Sequence, residues 1–188
     1  MDLNSSKIPI IAAIGVGAAI LGYAVGSSGL LQNKKEEKRK TVLVSGCYDL
    51  LHTGHVKFFK DAAQLGDLYV SVGSDACVAK LKKAPMFEEN ERVYFVNAIK
   101  HVKEAYVCKG MGMMDWCDAL EHPENYPLGK LPDIFYVNED GDHRDEHGVS
   151  AKEEACKQYG VEYYVDKRIP EEGLKAHSST SIKAGLKK

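Results

Sequence analysis

Two histidines flank a glycine in the segment His52-Thr53-Gly54-His55. Because glycine has no side chain, at the start of a helix it lets an anion approach the backbone N–H groups that the helix leaves unpaired. Two imidazoles beside it can donate hydrogen bonds to phosphate oxygens and stabilise the charge that develops during phosphoryl transfer. The segment therefore predicts a phosphate-binding site with His52 and His55 as catalytic candidates, although the same short string also occurs in ordinary surface loops.

The neighbouring segments predict where such a site would lie. Residues 41–46 have the largely apolar composition of a buried strand, and apolar side chains recur at helical spacing over residues 54–65. Strand-like and helix-like segments then alternate along the rest of the chain. The strand-like ones are 67–74, 104–110, 133–140 and 161–166, and the helix-like ones are 91–102, 114–122 and 150–160. This alternation predicts an α/β fold, a Rossmann-like, doubly wound sheet of five parallel strands.

Doubly wound sheets bind their ligands at the carboxyl ends of the strands, where the strand order reverses. We therefore expect the chemistry directly after Gly46, Gly73, Lys109, Asn138 and Asp166. The two histidines follow the first of these positions, so the motif stands where the fold would use it.

The N-terminal residues indicate a membrane anchor. Residues 8–31 contain no charged side chain, and about 24 helical residues at about 1.5 Å each exceed the hydrocarbon thickness of about 30 Å. We predict an anchor at 1–31, a charged linker at 32–40 and a catalytic domain at 41–188. The basic residues of the linker predict a single-pass protein whose catalytic domain faces the cytoplasm, with a mitochondrial membrane as another location. A secretory signal peptide, cleaved near Ala24-Val25-Gly26, is the alternative.

Composition restricts the partners further. The 188 residues carry a net charge of -2 with 28% charged side chains, which is typical of a globular domain and predicts no nucleic-acid partner. The five cysteines are odd in number and lack C-x-x-C spacing, so they indicate neither a disulfide framework nor a zinc site. Small residues at Ala18, Gly22 and Gly26 would let two membrane helices pack closely, so a homodimer is also expected, although such residues are common in membrane helices.

The segments YDLLHTGH, GDLYVSVGSD, ERVYFVNAIKHV and SSTSIK together resemble the cytidylyltransferase-like branch of the nucleotidyltransferase superfamily, close to the glycerol-3-phosphate cytidylyltransferases. The resemblance covers nearly all of residues 41–188. It implies transfer of a nucleotidyl group from CTP or ATP to a phosphorylated small-molecule acceptor, with release of pyrophosphate. It also implies Mg²⁺ or another divalent cation as cofactor, although it identifies no metal ligands.

The same resemblance implies a role for each residue of the motifs. His52, His55 and Lys83 are implied to be catalytic, and Asp75 and Arg168 to bind the acceptor. The residues implied to bind the nucleotide are Cys47, Tyr48, Asp49, Gly54, Arg92, Ser178, Ser179 and Thr180. Simpler roles remain open, because a basic loop, surface salt bridges or a helix cap would use the same lysine, arginine and serine residues.

A departure from the family pattern leaves alternatives open. The segment 137–148 (VNEDGDHRDEHG) is unusually acidic, which leaves the acceptor undetermined. His143 and His147 would hold a metal if they shared one helix face, but Gly141 and Gly148 favour a solvated acidic loop. The alternative function is a catalytically degenerate, membrane-anchored scaffold or complex subunit.

Overall fold

A five-stranded parallel sheet forms the core of the described part of the chain. The computed structural model describes residues 38–82, 84–110 and 115–185. The strands are β1 (Thr41–Gly46), β2 (Asp67–Val72), β3 (Glu104–Val107), β4 (Ile134–Asn138) and β5 (Glu162–Asp166). The helices are α1 (Thr53–Leu65), α2 (Asp75–Lys82), α3 (Glu89–Asn97), α4 (Asp115–Glu121), α5 (Ala151–Tyr159) and α6 (Ser179–Gly185). The strand order β3-β2-β1-β4-β5 and the parallel pairing confirm the predicted α/β, Rossmann-like fold.

Both faces of the sheet are covered. Val42, Leu43 and Val44 of β1 are each at most 1% exposed, as expected for a parallel strand packed between two helical layers. On one face a core forms with α1 and α3, which contribute Phe59 and Val96 among others. The other face packs against α4 and α5. The layer of α1 and α3 therefore anchors two helices that carry candidate site residues, among them His55 and Arg92.

The strand order reverses between β1 and β4. β1 pairs with β2 on one side and with β4 on the other, so the connections from β1 and β4 leave in opposite directions. The carboxyl ends of these two strands frame the crevice in which doubly wound sheets bind ligands. Helix α1 begins there, directly after the loop of residues 47–52.

Two helices differ from the sequence prediction. Helix α2 was not predicted, because the segment after β2 has only a weak apolar period; it begins at Asp75, and the Ser74 hydroxyl accepts a hydrogen bond from the Cys77 N–H at 3.1 Å. Helix α3 spans Glu89–Asn97 instead of 91–102. A capping box between Glu88 and Glu91 fixes its start. Past its end, the chain turns through residues 98–102 into β3.

No helix formed by the described residues is long and apolar enough to cross a membrane. The predicted span at 8–31 lies outside those residues, so the anchor, the linker boundaries and the orientation stay predictions.

Candidate functional site

The two candidate histidines lie at the first turn of α1. His52 is the N-cap residue, and its Nδ1 accepts a hydrogen bond from the Gly54 N–H at 3.2 Å. A ring that accepts at Nδ1 carries its proton on Nε2, which is then a donor. Burial, with smaller contributions from the charges of Arg168 and His177, lowers the pKa of His52. The ring is therefore neutral near pH 7 and can donate a hydrogen bond to an anion at the helix start.

The second histidine is stacked on the first. The ring centroids of His52 and His55 are 3.9 Å apart with 28° between the planes. The Tyr48 ring meets His55 in an edge contact at 5.4 Å and the Phe59 ring at 5.1 Å. The two imidazoles thus form one unit, and the apolar core of the α1 face holds it in place.

Tyr48 adopts a backbone conformation that is unusual for a non-glycine residue, with φ of 48°. It is 5% exposed, and within the described part of the chain its hydroxyl has no hydrogen-bond partner. Burial and, to a lesser extent, the nearby Cys47 raise the pKa of this phenol well above its usual range. The ring passes so close to Gly46 that a Cβ there would lie 2.8 Å from Cζ of Tyr48. The conformation therefore depends on Gly46.

Asp49 joins three segments of the chain. Its Oδ1 accepts hydrogen bonds from the N–H groups of Met86 at 2.6 Å and Phe87 at 3.5 Å, and its Oδ2 accepts one from Nζ of Lys183 at 2.6 Å. Burial alone would raise the pKa of this carboxyl, but these hydrogen bonds outweigh burial and lower it. Asp49 is therefore ionised near pH 7 and holds α6 against the loop after β1.

Arg92 is fully buried and is engaged by protein groups. Its guanidinium donates to the Phe87 carbonyl at 3.0 Å, to the Cys47 carbonyl and to Oδ1 of Asp75 at 2.7 Å. The structure places Arg92 and Asp75 on the α2–α3 side of the loop, and Asp75 keeps 38% of its side chain exposed. In this arrangement Arg92 positions the Cys47 backbone, whereas a ligand can still reach Asp75.

The C-terminal segment reaches the same loop. Ser178 begins the turn before α6, and its hydroxyl accepts a hydrogen bond from the Ser181 N–H at 3.1 Å. The Ser179 hydroxyl donates to the Leu50 carbonyl at 3.3 Å, while Thr180 is exposed. The structure thus brings the serines, predicted from the far end of the sequence, beside the two histidines. Ser178 also acts as a helix cap, the simpler of the two roles considered for it.

Arg168 lies between the end of β4 and the segment before α6. Its guanidinium pairs with Asp140 and donates to the His177 carbonyl at 2.6 Å. The His177 carbonyl lies 3.5 Å from where a Cβ on Gly54 would stand. Arg168 therefore holds the strap of residues 167–177 across the start of α1.

A cleft opens between α1 and this strap, at the carboxyl ends of β4 and β5. Two of its lining residues, Thr53 and Gly54, form the first turn of α1. Its charged lining comprises four basic residues and two acidic ones: Lys57, Lys167, Arg168 and Lys175 against Asp61 and Glu171. Although the chain is slightly acidic, the cleft is basic and suits an anionic ligand. Lys183, His177 and Lys175 carry no sequence signal beyond their nearness to the serines, so sequence reasoning gave them no role.

Two further predictions concern Lys83 and a metal site. Lys83 lies outside the described residues, so its catalytic role stays a prediction. Among the described residues no group of three or more histidine, cysteine or acidic side chains is spaced to hold a metal ion. His143 and His147 lie on a loop of turns closed by a bridge between Arg144 and Ser150. The loop supports the solvated alternative over a helical metal site.

Known proteins resemble this chain over most of its length. A model of the cytidylyltransferase-like family matches residues 43–185. The bifunctional protein HldE of Proteus mirabilis is 30% identical over 149 residues, 72% of this chain and 28% of that protein. The FAD synthase of Methanobrevibacter smithii is 29% identical over 153 residues, 79% of this chain and 92% of that protein. The chain thus spans less than a third of the HldE relative.

A solved structure shares the fold. The lipopolysaccharide core biosynthesis protein of Thermoplasma volcanium superposes with a TM-score of 0.53 at 25% identity, covering 71% of this chain and 98% of that one.

The contact between Gly46 and Tyr48 predicts a packing defect on substitution. In Gly46→Ala the new Cβ would lie 2.8 Å from Cζ of Tyr48, so the Tyr48 ring must shift. Overpacking of this kind costs about 1–3 kcal/mol, measurable by urea unfolding. Gly185→Ala is the matched control, because nothing lies within 4 Å of its added Cβ. Equal stability of Gly46→Ala and the wild type would contradict the assigned contact.

The buried Asp49 predicts a pH-dependent effect of Lys183. Lys183→Met leaves a carboxylate that is 4% exposed without its ammonium partner, which costs about 2 kcal/mol at neutral pH. Because folding lowers the pKa of Asp49 below 3.8, this stabilisation is present above that value and is lost as the pH falls through the folded-state pKa.

Chemical denaturation over a range of pH values measures the effect. Lys40→Met, which removes an exposed pair with Glu162 at 3.0 Å, is the control and should cost less than about 1 kcal/mol. A Lys183→Met penalty that does not change in acid would show that Asp49 is not its partner.

Proposed function

This chain belongs to the cytidylyltransferase-like family of nucleotidyltransferases, and we propose that it transfers a nucleotidyl group from CTP or ATP to a phosphorylated small-molecule acceptor, releasing pyrophosphate. One observation carries the proposal. The histidine turn at the start of α1 and the serine segment at the start of α6 meet at the reversal point of the sheet, linked by Lys183 and Asp49. Thr53 and Gly54 of the histidine turn, and His177 directly before the serines, line the basic cleft between α1 and the strap 167–177.

In the proposed reaction an oxygen of the acceptor phosphate attacks the α-phosphorus of the triphosphate in line. A new P–O bond forms, the bond between the α-phosphorus and its bridging oxygen breaks, and pyrophosphate leaves. No covalent intermediate with the protein is needed. The α-phosphoryl group would lie at the start of α1, where the helix dipole favours negative charge. The N–H groups of Gly54, His55 and Val56 are already engaged by His52, so the side chains of the turn would supply the hydrogen bonds.

His52 and His55 would stabilise the charge that develops at the α-phosphoryl oxygens. Because the Gly54 N–H occupies Nδ1 of His52, Nε2–H is the group that can donate to these oxygens. A donor fixed before the substrate arrives needs no reorganisation during the reaction. Electrostatic stabilisation by such preorganised donors is usually the largest single contribution to catalysis. Lys167 and Lys175 at the cleft would bind the β- and γ-phosphates together with the Ser178–Thr180 segment. Arg168 is engaged by Asp140 and the His177 carbonyl, and the acceptor-binding roles of Arg168 and Asp75 stay predictions.

A divalent cation is proposed as cofactor. Mg²⁺ commonly retains several waters and binds through one or two carboxylates together with substrate phosphates. Among the described residues the carboxylates of Asp49, Asp61 and Glu171 are already paired with lysines. Because these carboxylates are paired, the cation would be held mainly by the triphosphate. The cation would then neutralise phosphate charge.

The choice of nucleotide and acceptor is open within this proposal. FAD, named in one relative, contains an adenylyl group, whereas the resemblance to glycerol-3-phosphate enzymes favours CTP, so both triphosphates belong in the test. A membrane tether at residues 8–31 would place the reaction at a membrane surface facing the cytoplasm, or at a mitochondrial membrane. That position suits an acceptor from lipid-precursor chemistry.

The catalytic assignment predicts the effect of removing one imidazole. The full chain is supplied with CTP or ATP, Mg²⁺ and a panel of phosphomonoesters, and pyrophosphate release is measured. His55→Ala should reduce turnover by about 10²–10³, the usual cost of losing one positioned donor. His147→Ala is the matched control, because its side chain is 77% exposed on the acidic loop, and it should leave the rate unchanged.

Two outcomes would contradict the proposal in different ways. Unchanged turnover in His55→Ala would overturn the assigned residues but not the reaction. If no triphosphate gives pyrophosphate release and none raises the melting temperature, the scaffold alternative is favoured. A ligand that prefers the folded state must raise the melting temperature of the protein.

A further inference from the structure

Lys152 lies in the first turn of α5, on the face of the sheet opposite α1. Its Nζ donates a hydrogen bond to the Gly141 carbonyl at 3.2 Å. The same atom lies 5.9 Å from the ring centroid of Trp116 and 6.0 Å from that of Phe135. An ammonium group is thus held between two aromatic rings, with one of its three N–H donors used by a carbonyl.

Within the described part of the chain, no carboxylate lies close enough to Nζ to form an ion pair, for which 4.0 Å is the limit. The nearby Asp142 is already engaged, because its carboxylate accepts hydrogen bonds from Tyr163 and Arg144, each at 2.7 Å. Burying an ammonium group without an adjacent anion costs several kcal/mol of desolvation free energy. Aromatic faces recover only about 0.5–2 kcal/mol of that cost.

Burial lowers the pKa of Lys152, while the charges of Asp142, Cys156 and Cys47 act in the opposite direction without outweighing burial. Lys152 nevertheless remains partly exposed. The cation is therefore partly desolvated and has no carboxylate partner among the described residues, which are properties of an anion-binding residue rather than of a surface lysine.

The position of Lys152 relates it to the proposed reaction. Cys47, which follows β1, is near enough for its charge to affect the pKa of Lys152. Gly141, whose carbonyl Lys152 contacts, lies in the loop after β4. Lys152 therefore stands at the same reversal point as the histidines but approaches it from the α4–α5 face. The basic cleft, proposed for the triphosphate, lies on the α1 face. Since in-line transfer places the attacking group and leaving pyrophosphate on opposite sides of the α-phosphorus, the acceptor needs a separate anion site.

We propose that Lys152 binds the phosphate of the acceptor, with the partly buried Trp116 ring beside it. This inference rests on the proposed function, and it names the residue that recognises the acceptor class, a phosphomonoester. Lys152 also holds the Gly141 carbonyl, so the test must separate anion binding from support of the loop.

Trp116 is the only tryptophan in the chain, and its position beside Lys152 makes its fluorescence a local probe that needs no turnover. The full chain in detergent is titrated with inorganic phosphate and with glycerol 3-phosphate, without nucleotide. We expect a saturable change in the wild type. Lys152→Met should raise the dissociation constant at least about tenfold, and Lys152→Arg, which keeps the charge, should raise it less than Lys152→Met.

Lys157→Met is the matched control, because Lys157 is exposed on the same helix, and it should leave the dissociation constant unchanged. Lys152→Gln serves as a second variant if the methionine variant does not fold, as judged by thermal unfolding. No saturable change in the wild type, or equal dissociation constants in the wild type and a folded Lys152 variant, would overturn the proposal.

A second titration shows whether Lys152 binds the phosphate of the acceptor or a phosphate of the nucleotide. The phosphomonoester is titrated in the presence of saturating α,β-methylene analogues of CTP and ATP, which occupy the nucleotide site without reacting. Phosphomonoester binding should persist; loss of that binding would assign Lys152 to the nucleotide and overturn the acceptor site.

Pyrophosphate release separates the two proposals. Anion binding that depends on Lys152, with no release for any triphosphate, would contradict the proposed function but not the anion site. Release with an unchanged KM for the acceptor in Lys152→Met would contradict the acceptor site alone.

Discussion

The arrangement of the site depends on one buried carboxylate. Asp49 is 5% exposed and accepts hydrogen bonds from the Met86 N–H, 37 residues away, and from Lys183, 134 residues away. An ionised carboxylate can be buried only when charge and hydrogen bonds compensate for its lost hydration. The loop after β1, the segment before α3 and helix α6 must therefore meet at this point. Their meeting brings the histidine turn and the serine segment together.

Two further constraints fix the geometry of the histidine turn itself. Arg92, with no exposed surface, holds the Cys47 carbonyl, and Tyr48 supports the His55 ring from a positive-φ conformation that Gly46 makes room for. Buried groups with several partners have few alternative positions, so the donors of the first turn of α1 are in place before a ligand binds. This fixed position is what a site that works by electrostatic stabilisation requires.

The fold and the centre of the site could be predicted from local patterns. Alternating strand-like and helix-like segments were sufficient for the five-stranded α/β sheet, and the position of His52 and His55 after β1 followed from that topology. Pairings between distant residues leave no such pattern. The bond between Asp49 and Lys183, and the burial of Arg92, a residue expected to contact nucleotide, became apparent only from the three-dimensional arrangement.

Short elements were the other gap in the sequence prediction. Helix α2 has a weak apolar period and begins at Asp75, directly after β2, so its residues resembled a basic loop. Lys152 had no signature at all, because an ammonium between Trp116 and Phe135 depends on α4, α5 and β4 packing together. For a charged residue inside a packed layer, the role depends on its tertiary contacts and not on the local sequence.

The most direct test of the proposed nucleotide site is hydrogen–deuterium exchange of the full chain with and without CTP or ATP and Mg²⁺. If the two segments joined by Asp49 and Lys183 form one triphosphate site, nucleotide should slow exchange in residues 47–55 and 168–183 together, at the same ligand concentration. Protection of only one segment, or of neither, would contradict a shared site.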